Sequence, residues 1–581
     1  MACSAARKGS KVEGNSMRSL LTREGEITGG KWEAYPRPQM VREGWQNLNG
    51  LWDFGTDPEK MNEQILVPFC PESRLSQIER TFPEGTRFFY RKAFRLELPL
   101  DGRRILLHFG AADQICEVFV NGEKAGRHEG GYLPFSFDIT ALVHEGGNEI
   151  RAEIIDDLSH DLPWGKQKRA RGGMWYTPVS GIWQTVWLES VPENYVKRLE
   201  IRTSETCAHV RAEGVTEGVI EVGSAEGEPS LRFFLKNGEA DILPPSPHLW
   251  SPEDPFLYRF TLKAGEDELS SYFALRSFQT GIENGIPRLL LNGRPYFFNG
   301  LLDQGYFSDG IYTPASPEVY EQDILRMKAL GFNTLRKHIK IEPEQFYYDC
   351  DRLGMIVFQD MVNCGEYRFF RDTALPTLGF DLKDRRDRVS ASARENFTAA
   401  MEETVRQLGS HPSIALWTIF NEGWGQFDAD ILYERLKKLD PDRLIDATSG
   451  WFEQKKSDVT SRHVYFRKVK PVRSKRPFLL SEFGGYVYQI PEHSAVPDKV
   501  YGYKKCKTRE DFVRDFRALY LEQILPLIPQ GLCGAVYTQV SDVEEETNGL
   551  LTYDRRKAKI KPEEFADIAP LLQEAAGCKA L

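Results

Sequence analysis

Two glutamates occupy the same kind of position in this 581-residue chain. Residues 414–426 read IALWTIFNEGWGQ, so an apolar run leads directly to Asn421 and Glu422. Residues 477–485, PFLLSEFGG, repeat the arrangement around Glu482. Such apolar runs are typical of strands buried on both faces of a parallel sheet. Two opposed carboxylates can hydrolyse a glycosidic bond, one as nucleophile or base and the other as proton donor.

An alternation of strands and helices must position these glutamates. From residue 281 onward eight segments, several of them wholly apolar, predict strands, and the alternation over roughly 290 residues predicts a C-terminal (β/α)8 TIM barrel. The helices around the fifth and sixth strands are short or unclear. The predicted strand segments are PYFFNGLLDQG, FNTLRKH, MIVFQD, IALWTIFNE, RLIDATSG, VTSRHVYF, PFLLSEFGG and LCGAVYTQV.

This barrel predicts that the two glutamates face each other. Glu422 ends the fourth strand and Glu482 the seventh, and catalytic residues of such barrels lie at the carboxyl ends of the strands. A separation of about 5–5.5 Å between the carboxyl groups implies retention, whereas about 6.5–9.5 Å implies inversion. The residues leave that choice open. The alternative, in which both glutamates serve caps or salt bridges, explains their matching positions less well.

The first half of the chain has a different pattern. Short segments rich in β-branched and aromatic residues, separated by Gly, Asn and Asp, predict all-β domains. We therefore predict a multidomain β plus α/β protein. Its parts are a disordered leader over 1–31, a jelly-roll β-sandwich over 32–191, an immunoglobulin-like β-sandwich over 192–280 and the barrel over 281–581.

Further polar and aromatic residues stand near predicted strand ends and are candidate substrate-binding residues. They are Asp303, Gln304, Arg336, His338, Asp360, Asn421, Trp424, His463, Tyr465, Tyr537 and Gln539. Most can hydrogen-bond sugar hydroxyls, and Trp424 is interpreted as a subsite wall. Arg336 is interpreted as support, because a nearby cation keeps a carboxylate ionised. The alternative is a polar layer of internal salt bridges.

Composition excludes several classes of protein. The net charge of −10 argues against nucleic-acid binding. The sequence has no apolar run of about 18 residues and no signal-peptide pattern, so we predict neither membrane insertion nor secretion. Nine cysteines without a CxxC motif predict free thiols in the cytoplasm, without a disulfide framework or a metal site.

Nearly the whole chain, from about Tyr35 to Asp554, resembles glycoside hydrolase family 2. The segments VFVNGEKAGRHEGGYLPFSFDIT and VSGIWQTVWLE resemble its jelly roll, and LWSPEDPFLY resembles its immunoglobulin-like domain. The segments GFNTLRKH, CDRLGMIVFQD, SHPSIALWTIFNEGWGQ and LLSEFGG resemble its barrel. Together these segments are specific, although none would suffice alone.

The resemblance implies a retaining mechanism without a cofactor. Glu422 matches the acid/base of the family and Glu482 its nucleophile. Asn421 matches the residue that binds the 2-hydroxyl of the sugar, and Tyr465 matches the tyrosine that bonds the nucleophile. Family members are often dimers or larger, so a homo-oligomer is possible.

The sequence also departs from the family. The family's Arg-x-x-His appears as Arg336-Lys337-His338, which leaves the role of His338 in doubt. No tryptophan platform is evident on the eighth strand, where Tyr537 is the candidate replacement. Glu546-Thr547-Asn548 replaces the Asn-x-Lys of β-glucuronidases, which argues against ordinary glucuronidase activity. No acidic cluster matches the magnesium site of large β-galactosidases.

Two basic runs suggest another substrate class. RKVKPVRSKRP, over 467–477, holds six cations, and KQKRAR, over 166–171, holds four. If both reach the barrel mouth they favour an acidic sugar, although such runs are usually solvated loops. We also expect the jelly-roll loop WGKQKRARGGMWY to shape the rim of the pocket, because sites commonly form between domains.

These observations support several hypotheses. The first is a retaining exo-β-glycosidase, most simply β-galactosidase-like, acting on a carbohydrate substrate. Alternatives are a uronic-acid-directed, galacturonidase-like β-glycosidase and a catalytically weak carbohydrate-binding protein. The second alternative would be favoured by loss of one carboxylate, and both are present. A transglycosylase using the same residues is not distinguished by the sequence.

Overall fold

The computed structural model describes residues 17–577 apart from 224–230, 379, 381 and 385–388. A jelly-roll β-sandwich comes first, an immunoglobulin-like β-sandwich follows, and a parallel eight-stranded TIM barrel forms the C-terminal part. The predicted fold class is therefore confirmed.

The jelly roll contains a six-stranded sheet and a four-stranded sheet. Buried and more exposed residues alternate along its strand 146–155, as expected when one sheet face packs on a core. Two long strands, β4 (Arg87–Leu96) and β10 (Gly146–Ile155), pair antiparallel over ten residue pairs. The strands are β1 Trp45–Asn47, β2 Gly50–Gly55, β3 Glu63–Val67, β4 Arg87–Leu96, β5 Arg103–Phe109, β6 Ala112–Asp113, β7 Ile115–Val120, β8 Glu123–Glu129, β9 Phe135–Asp138, β10 Gly146–Ile155, β11 Gly181–Ile182 and β12 Val186–Pro192.

Seven strands form the immunoglobulin-like domain, and a three-stranded antiparallel sheet then leads into the barrel. Leu289 and Leu291 of that small sheet pack in the same apolar cluster as Phe298 and Phe358 of the barrel. The strands are β13 Arg198–Thr203, β14 Ala208–Glu213, β15 Glu217–Val222, β16 Leu231–Lys236, β17 Glu239–Ile242, β18 Tyr258–Ala264, β19 Asp267–Phe273, β20 Phe278–Glu283, β21 Ile286–Leu291 and β22 Arg294–Pro295.

All eight predicted barrel strands are present. Their hydrogen-bonded order is β27-β26-β25-β24-β23-β32-β29-β28, and every neighbouring pair is parallel. The strands are β23 Phe298–Asp303, β24 Thr334–Lys337, β25 Ile356–Asp360, β26 Ile414–Asn421, β27 Leu444–Ser449, β28 Thr460–Val464, β29 Phe478–Gly484 and β32 Leu532–Thr538. A short pair lies after β29, namely β30 Tyr486–Val487 and β31 Lys504–Lys505.

Helices cover most of the barrel but not all of it. The fully described connections 450–459 and 465–477 contain no helix, which explains why the sequence shows no clear helical pattern around β28. No described helix combines the length and apolarity needed to cross a membrane. The α-helices are α1 Arg23–Thr28, α2 Glu318–Ala329, α3 Glu344–Leu353, α4 Leu375–Thr377, α5 Ala391–Leu408, α6 Ala429–Leu439, α7 Arg509–Leu519 and α8 Ile568–Ala575.

The prediction of a disordered leader over 1–31 is wrong for residues 17–31, while residues 1–16 lie outside the described part. Thr22 caps α1 by accepting a hydrogen bond from the Gly25 amide. Its own amide donates to Asp309 over 2.8 Å, and its hydroxyl donates to the same carboxylate. The contact with the barrel segment orders a stretch whose own composition is polar.

One jelly-roll segment, residues 164–177, reaches over the barrel mouth and is called the mouth hairpin below. The indole of Trp164 packs on Trp175 and on Trp424 of the barrel, with centroid distances of 5.5 and 4.8 Å. Both Trp164 and Trp424 donate from Nε1 to the carbonyl of Gly365 over 3.1 Å. An aromatic cluster therefore joins the two domains.

Replacing Trp164 by Ala should lower the free energy of unfolding by about 3–5 kcal/mol, because a buried indole and its packing partners are lost. Urea denaturation followed by circular dichroism measures the change. Phe234→Ala is the control, since Phe234 is 62% exposed in the immunoglobulin-like domain and should change stability by less than about 0.5 kcal/mol. Equal effects of the two variants would contradict the interdomain role of Trp164.

Candidate active site

Glu422 follows β26 in an unusual backbone conformation. Its φ is +53°, in the left-handed region that disfavours residues with a side chain. Its amide donates to the carbonyl of Ser449 over 2.9 Å, which holds the turn in place. Gly423 follows with a φ of +70°, and a Cβ there would lie 1.9 Å from the ring of Phe452. The glycine therefore allows the chain to turn away directly after the carboxyl group.

Glu482 lies on β29 and is 5% exposed. The register of β29 shifts against β28 between Arg462 and His463, and against β32 between Leu480 and Phe483. Irregular pairing of this kind redirects side chains next to many active sites. The shifts coincide with the position of Glu482 and of His463 opposite it.

Arg336, on β24, connects the polar groups of the barrel mouth. Its Nε donates to Asp360 over 2.9 Å and its Nη2 donates to Asn421 Oδ1 over 2.8 Å. Its Nη1 donates to Glu482 Oε1 and to the carbonyl of Ser481, both over 3.1 Å. The guanidinium is almost fully buried, so these acceptors replace its water shell.

The electrostatic environment keeps Glu482 ionised. Burial raises the pKa of this carboxyl group, but the charges of His463 and Arg336 outweigh burial and lower the pKa to about 2. Burial likewise raises the pKa of Asp360, and the Arg336 charge lowers it below its ordinary value. Glu482 is therefore a carboxylate at neutral pH, as a nucleophile or a base must be.

His463, on β28, lies between the two glutamates. Its Nδ1 is 2.7 Å from Glu422 Oε1 and 3.5 Å from Glu482 Oε2. Its Nε2 is 3.1 Å from the hydroxyl of Ser449. One ligand atom from each of Glu422, His463 and Glu482 lies within 4.8 Å of the others. A metal ion between them would face repulsion from Arg336, which already binds Glu482.

Two further residues present hydrogen-bonding atoms beside Glu482. Asn421 accepts from Arg336 through Oδ1, which leaves its Nδ2 as a donor. His338 Nδ1 lies 2.8 Å from Asp360 Oδ2 and donates to it, so Nε2 of the neutral ring is an acceptor. Burial lowers the pKa of His338, which favours this neutral form.

Tyr465 lies just beyond β28 and donates a hydrogen bond to Glu482 Oε2. Burial and the Glu482 charge raise the pKa of the phenol well above its ordinary value, so Tyr465 remains a donor. Two partners of Tyr465 were missed in the sequence: Tyr503 stacks on its ring at 3.8 Å, and Thr538 Oγ1 is 3.0 Å from its hydroxyl. No sequence motif indicated Tyr503, which belongs to the loop after β29.

Asp303 does not join the carboxylates at the mouth. It accepts from Lys337 Nζ over 2.7 Å, and Lys337 also donates to Glu342. Lys337 lies over the ring of Phe346 on α3, so this ion network is on the helix side of the barrel wall. Gln304 follows β23 and is buried, and its Oε1 has no hydrogen-bond partner among the described residues.

The eighth-strand and tryptophan predictions also differ from the structure. Tyr537 accepts from the Tyr486 amide and packs on Phe483 and Phe516, in the apolar layer behind β32. It therefore cannot replace a platform at the mouth. Gln539 is buried and donates to Asn548 over 3.0 Å. Trp424 is only 2% exposed and belongs to the aromatic cluster under the mouth hairpin, so it is no open subsite wall.

The two basic runs differ in their surroundings. In the 467–477 loop, residues Lys468, Lys470, Arg473 and Lys475 are exposed, whereas Arg476 pairs with Glu453. These positions fit the solvated-loop interpretation. The 166–171 run instead belongs to the mouth hairpin, where Lys166 is half-buried.

Comparison with known proteins agrees with this arrangement. Residues 283–558 match "Glycosyl hydrolases family 2, TIM barrel domain", residues 75–192 match "Glycosyl hydrolases family 2, sugar binding domain", and residues 198–276 match "Glycosyl hydrolases family 2". The fold and the paired carboxylates define a glycoside hydrolase. More particularly, the chain belongs to glycoside hydrolase family 2.

Its relatives carry different names. The chain is 25% identical over 515 residues to a β-galactosidase of Thermoanaerobacter pseudethanolicus, with 78% of this chain and 65% of that protein covered. It is 26% identical over 472 residues to a β-glucuronidase of Felis catus, with 71% and 69% covered. The β-D-glucuronidase structure of Dictyoglomus thermophilum has a TM-score of 0.72 at 20% identity, with 95% and 99% covered. The match thus spans slightly under two thirds of the β-galactosidase, and the structural likeness shows the fold alone.

Replacing Arg336 by Met should destabilise the fold by about 3–5 kcal/mol at pH 7, because two buried carboxylates lose their partner. In the wild type the pKa of Glu482, about 2, lies below the unfolded value of about 4.3. Its ionised form therefore stabilises the fold above pH 4.3, and this contribution is lost as the pH falls toward 2. In the variant, one of the main charges that lower the pKa of Glu482 is gone, so this pKa should rise and protonation should relieve the penalty at a higher pH than in the wild type.

The difference in free energy of unfolding between the wild type and Arg336→Met should therefore shrink as the pH falls from 7 to 4. Urea denaturation at several pH values measures this trend. Arg514→Met is the control, because Arg514 is an exposed partner of Asp511 and Asp515 and such pairs contribute about 0–1 kcal/mol. A difference that stays constant with pH would contradict the role assigned to Arg336.

Proposed function

We propose that this protein is a retaining exo-β-glycosidase that hydrolyses O-glycosidic bonds by double displacement. The observation that carries the proposal is the short distance between the carboxyl groups of Glu422 and Glu482, whose nearest oxygen atoms lie within 4.8 Å. Retaining enzymes hold their carboxyl groups about 5–5.5 Å apart, whereas inverting enzymes leave about 6.5–9.5 Å for a water molecule.

Glu482 is the proposed nucleophile. It is ionised by its surroundings, and Arg336 and Tyr465 bind its two oxygen atoms and fix its orientation. Attack on the anomeric carbon forms a covalent glycosyl ester while Glu422 protonates the departing oxygen. Once the ester forms, the negative charge of Glu482 is gone. Glu422 can then remove a proton from the incoming water, which completes hydrolysis with retention.

Asn421 and His338 are the proposed sugar-binding groups nearest to the nucleophile. Asn421 presents its Nδ2 as a donor, which suits the 2-hydroxyl of the sugar implied by the family resemblance. His338 presents Nε2 as an acceptor. Contacts with the sugar that strengthen in the oxocarbenium-like transition state lower the activation barrier, so they raise kcat and do not only lower the KM. The mouth hairpin covers one side of the mouth, which supports action at a chain end.

Replacing Glu482 by Gln should lower kcat on an activated aryl β-glycoside by at least about 10⁴-fold, because an amide cannot form the ester. The fold should persist, since Arg336 and Tyr465 still find an oxygen acceptor at that position. Steady-state kinetics and a thermal melt measure the two effects. Activity near the wild-type level would exclude Glu482 as the nucleophile.

Replacing Glu422 by Ala should leave formation of the glycosyl-enzyme intact for good leaving groups and slow its hydrolysis. Azide needs no base, so added azide should restore turnover and yield a β-glycosyl azide. Product analysis by NMR detects the azide and its anomeric configuration. Absence of that product, or an α-azide, would contradict the acid/base role and retention respectively.

We also propose that the protein works in a reducing compartment, the cytoplasm. Seven described cysteines are free, and five of them are buried. Free buried thiols are typical of proteins that fold without disulfide formation.

A further inference from the structure

Lys166, in the mouth hairpin, is a cation whose ammonium has no hydrogen bond or ion pair within the described part of the chain. The lysines that are fully buried in the barrel domain do have carboxylate partners among the described residues. Those pairs are Lys337 with Asp303 and Glu342, Lys340 with Glu342, and Lys559 with Asp542. An unpaired cation that is partly removed from water loses solvation without compensation. Lys166 is therefore available to an anion from outside the protein.

The mouth hairpin is docked on the barrel at both ends. At its start, the Trp164 amide donates to the carbonyl of Asn363 over 3.0 Å, in the loop after β25. At its end, the Thr177 amide donates to Glu544 over 2.8 Å, in the loop after β32, and the Tyr176 hydroxyl donates to Glu546. Lys166 lies in the chain between these two anchor points, within the segment that is docked on the loops after β25 and β32.

Local hydrogen bonds fix the backbone at Lys166. Its carbonyl accepts from the Tyr176 amide over 3.0 Å. Gln167 is buried on the jelly-roll side, where its Nε2 donates to the Tyr132 hydroxyl and its Oε1 accepts from the Val179 amide. Lys166 itself lies in the turn just before Gln167, where it is half-buried, and its ammonium has no jelly-roll partner among the described residues.

Electrostatic effects agree with this placement. The Lys166 charge contributes to lowering the pKa of Glu482 and of His338, and it opposes the rise in the pKa of Glu546 that burial causes. Glu546 is already bound, by the Tyr176 hydroxyl and by Asn548 Nδ2 over 3.0 Å. Thus Lys166 lies near all three residues, while Glu546 has its own partners.

We propose that Lys166 binds a carboxylate of the substrate, so that the preferred glycone is a β-linked uronic acid read by the jelly-roll domain. This inference rests on the proposed glycosidase function and names its substrate class. It differs from recognition by the barrel, since the tripeptide Glu546-Thr547-Asn548 contains no cation. A lysine can form a charge-assisted hydrogen bond with a carboxylate, whereas a hydroxymethyl group offers a much weaker acceptor.

The test uses two pairs of 4-nitrophenyl substrates that differ only in carboxylate against hydroxymethyl. These are β-D-galacturonide with β-D-galactoside, and β-D-glucuronide with β-D-glucoside. The wild type should prefer the acidic member of at least one pair. Lys166→Met should lower kcat/KM on that member about 100-fold and change kcat/KM on the neutral member less than about 3-fold.

Lys168→Met is the matched control. Lys168 lies two residues further along the same hairpin, is exposed, and stands over the ring of Trp175. The control removes one positive charge from the same loop, but kcat/KM on both members of each pair should stay within about 3-fold of the wild-type value. Equal losses in both lysine variants would mean that general attraction by the loop, not a contact with Lys166, selects the substrate, and would overturn the proposal.

Two other outcomes would overturn it. In one, the wild type prefers the neutral member of both pairs. In the other, Lys166→Met lowers kcat/KM equally on the acidic and the neutral member of a pair and shifts the acidic limb of the pH profile. This result would mean that Lys166 acts only through the charge state of Glu482. Failure of the catalytic proposal is separable, because it would appear as activity that survives in Glu482→Gln, whatever the substrate preference.

Binding provides a measurement that needs no turnover. Isothermal titration of Glu482→Gln with D-galacturonate and D-glucuronate, against D-galactose and D-glucose, compares the same glycones directly. Tighter binding of at least one acid, lost about 100-fold when Lys166→Met is added, supports the proposal. No preference for either acid overturns it, even if none of the aryl glycosides is hydrolysed.

Discussion

The site depends on the hydrogen bonds and ion pairs that the Arg336 guanidinium makes. The guanidinium joins β24 to groups on three other strands: Asp360 on β25, Asn421 on β26 and Glu482 on β29. A buried guanidinium is tolerated only where acceptors replace its hydration, and the carboxylates need the cation for the same reason. The contacts that keep Glu482 ionised therefore also position Asn421 beside it. The stability of the barrel mouth and the ionised state of Glu482 thus depend on the same contacts.

Local irregularity of the backbone completes the arrangement. Glu422 has a positive φ, and β29 shifts its register beside Glu482. Such conformations are unfavourable alone and persist where the surroundings compensate. Here the Ser449 carbonyl holds the Glu422 amide, and His463 lies between both carboxyl groups. Regular strands would direct these side chains by simple alternation, and two carboxyl groups from distant strands would not come so close.

The jelly roll contributes to the mouth as well as to the size of the protein. The mouth hairpin packs Trp164 against Trp424 of the barrel and contains the half-buried Lys166. The barrel holds the proposed reacting groups at its strand ends, whereas a segment from another domain borders the mouth. Since loops vary with little effect on the barrel, this arrangement lets substrate preference change separately from the chemistry. It also explains why family membership alone does not identify the sugar.

The sequence by itself determined the eight barrel strands and the two glutamates, because apolar runs buried on both faces are a local signal. It also identified Arg336, Asp360 and His463 as residues that the structure brings together. Tertiary structure decided the rest. Asp303 and Tyr537 stand at strand ends but face the helix layer, and Trp424 is covered by another domain. Residues 17–31 are ordered by contacts with the barrel segment. Which face a side chain occupies depends on register shifts and on docking between distant segments, and neither leaves a local pattern in the chain.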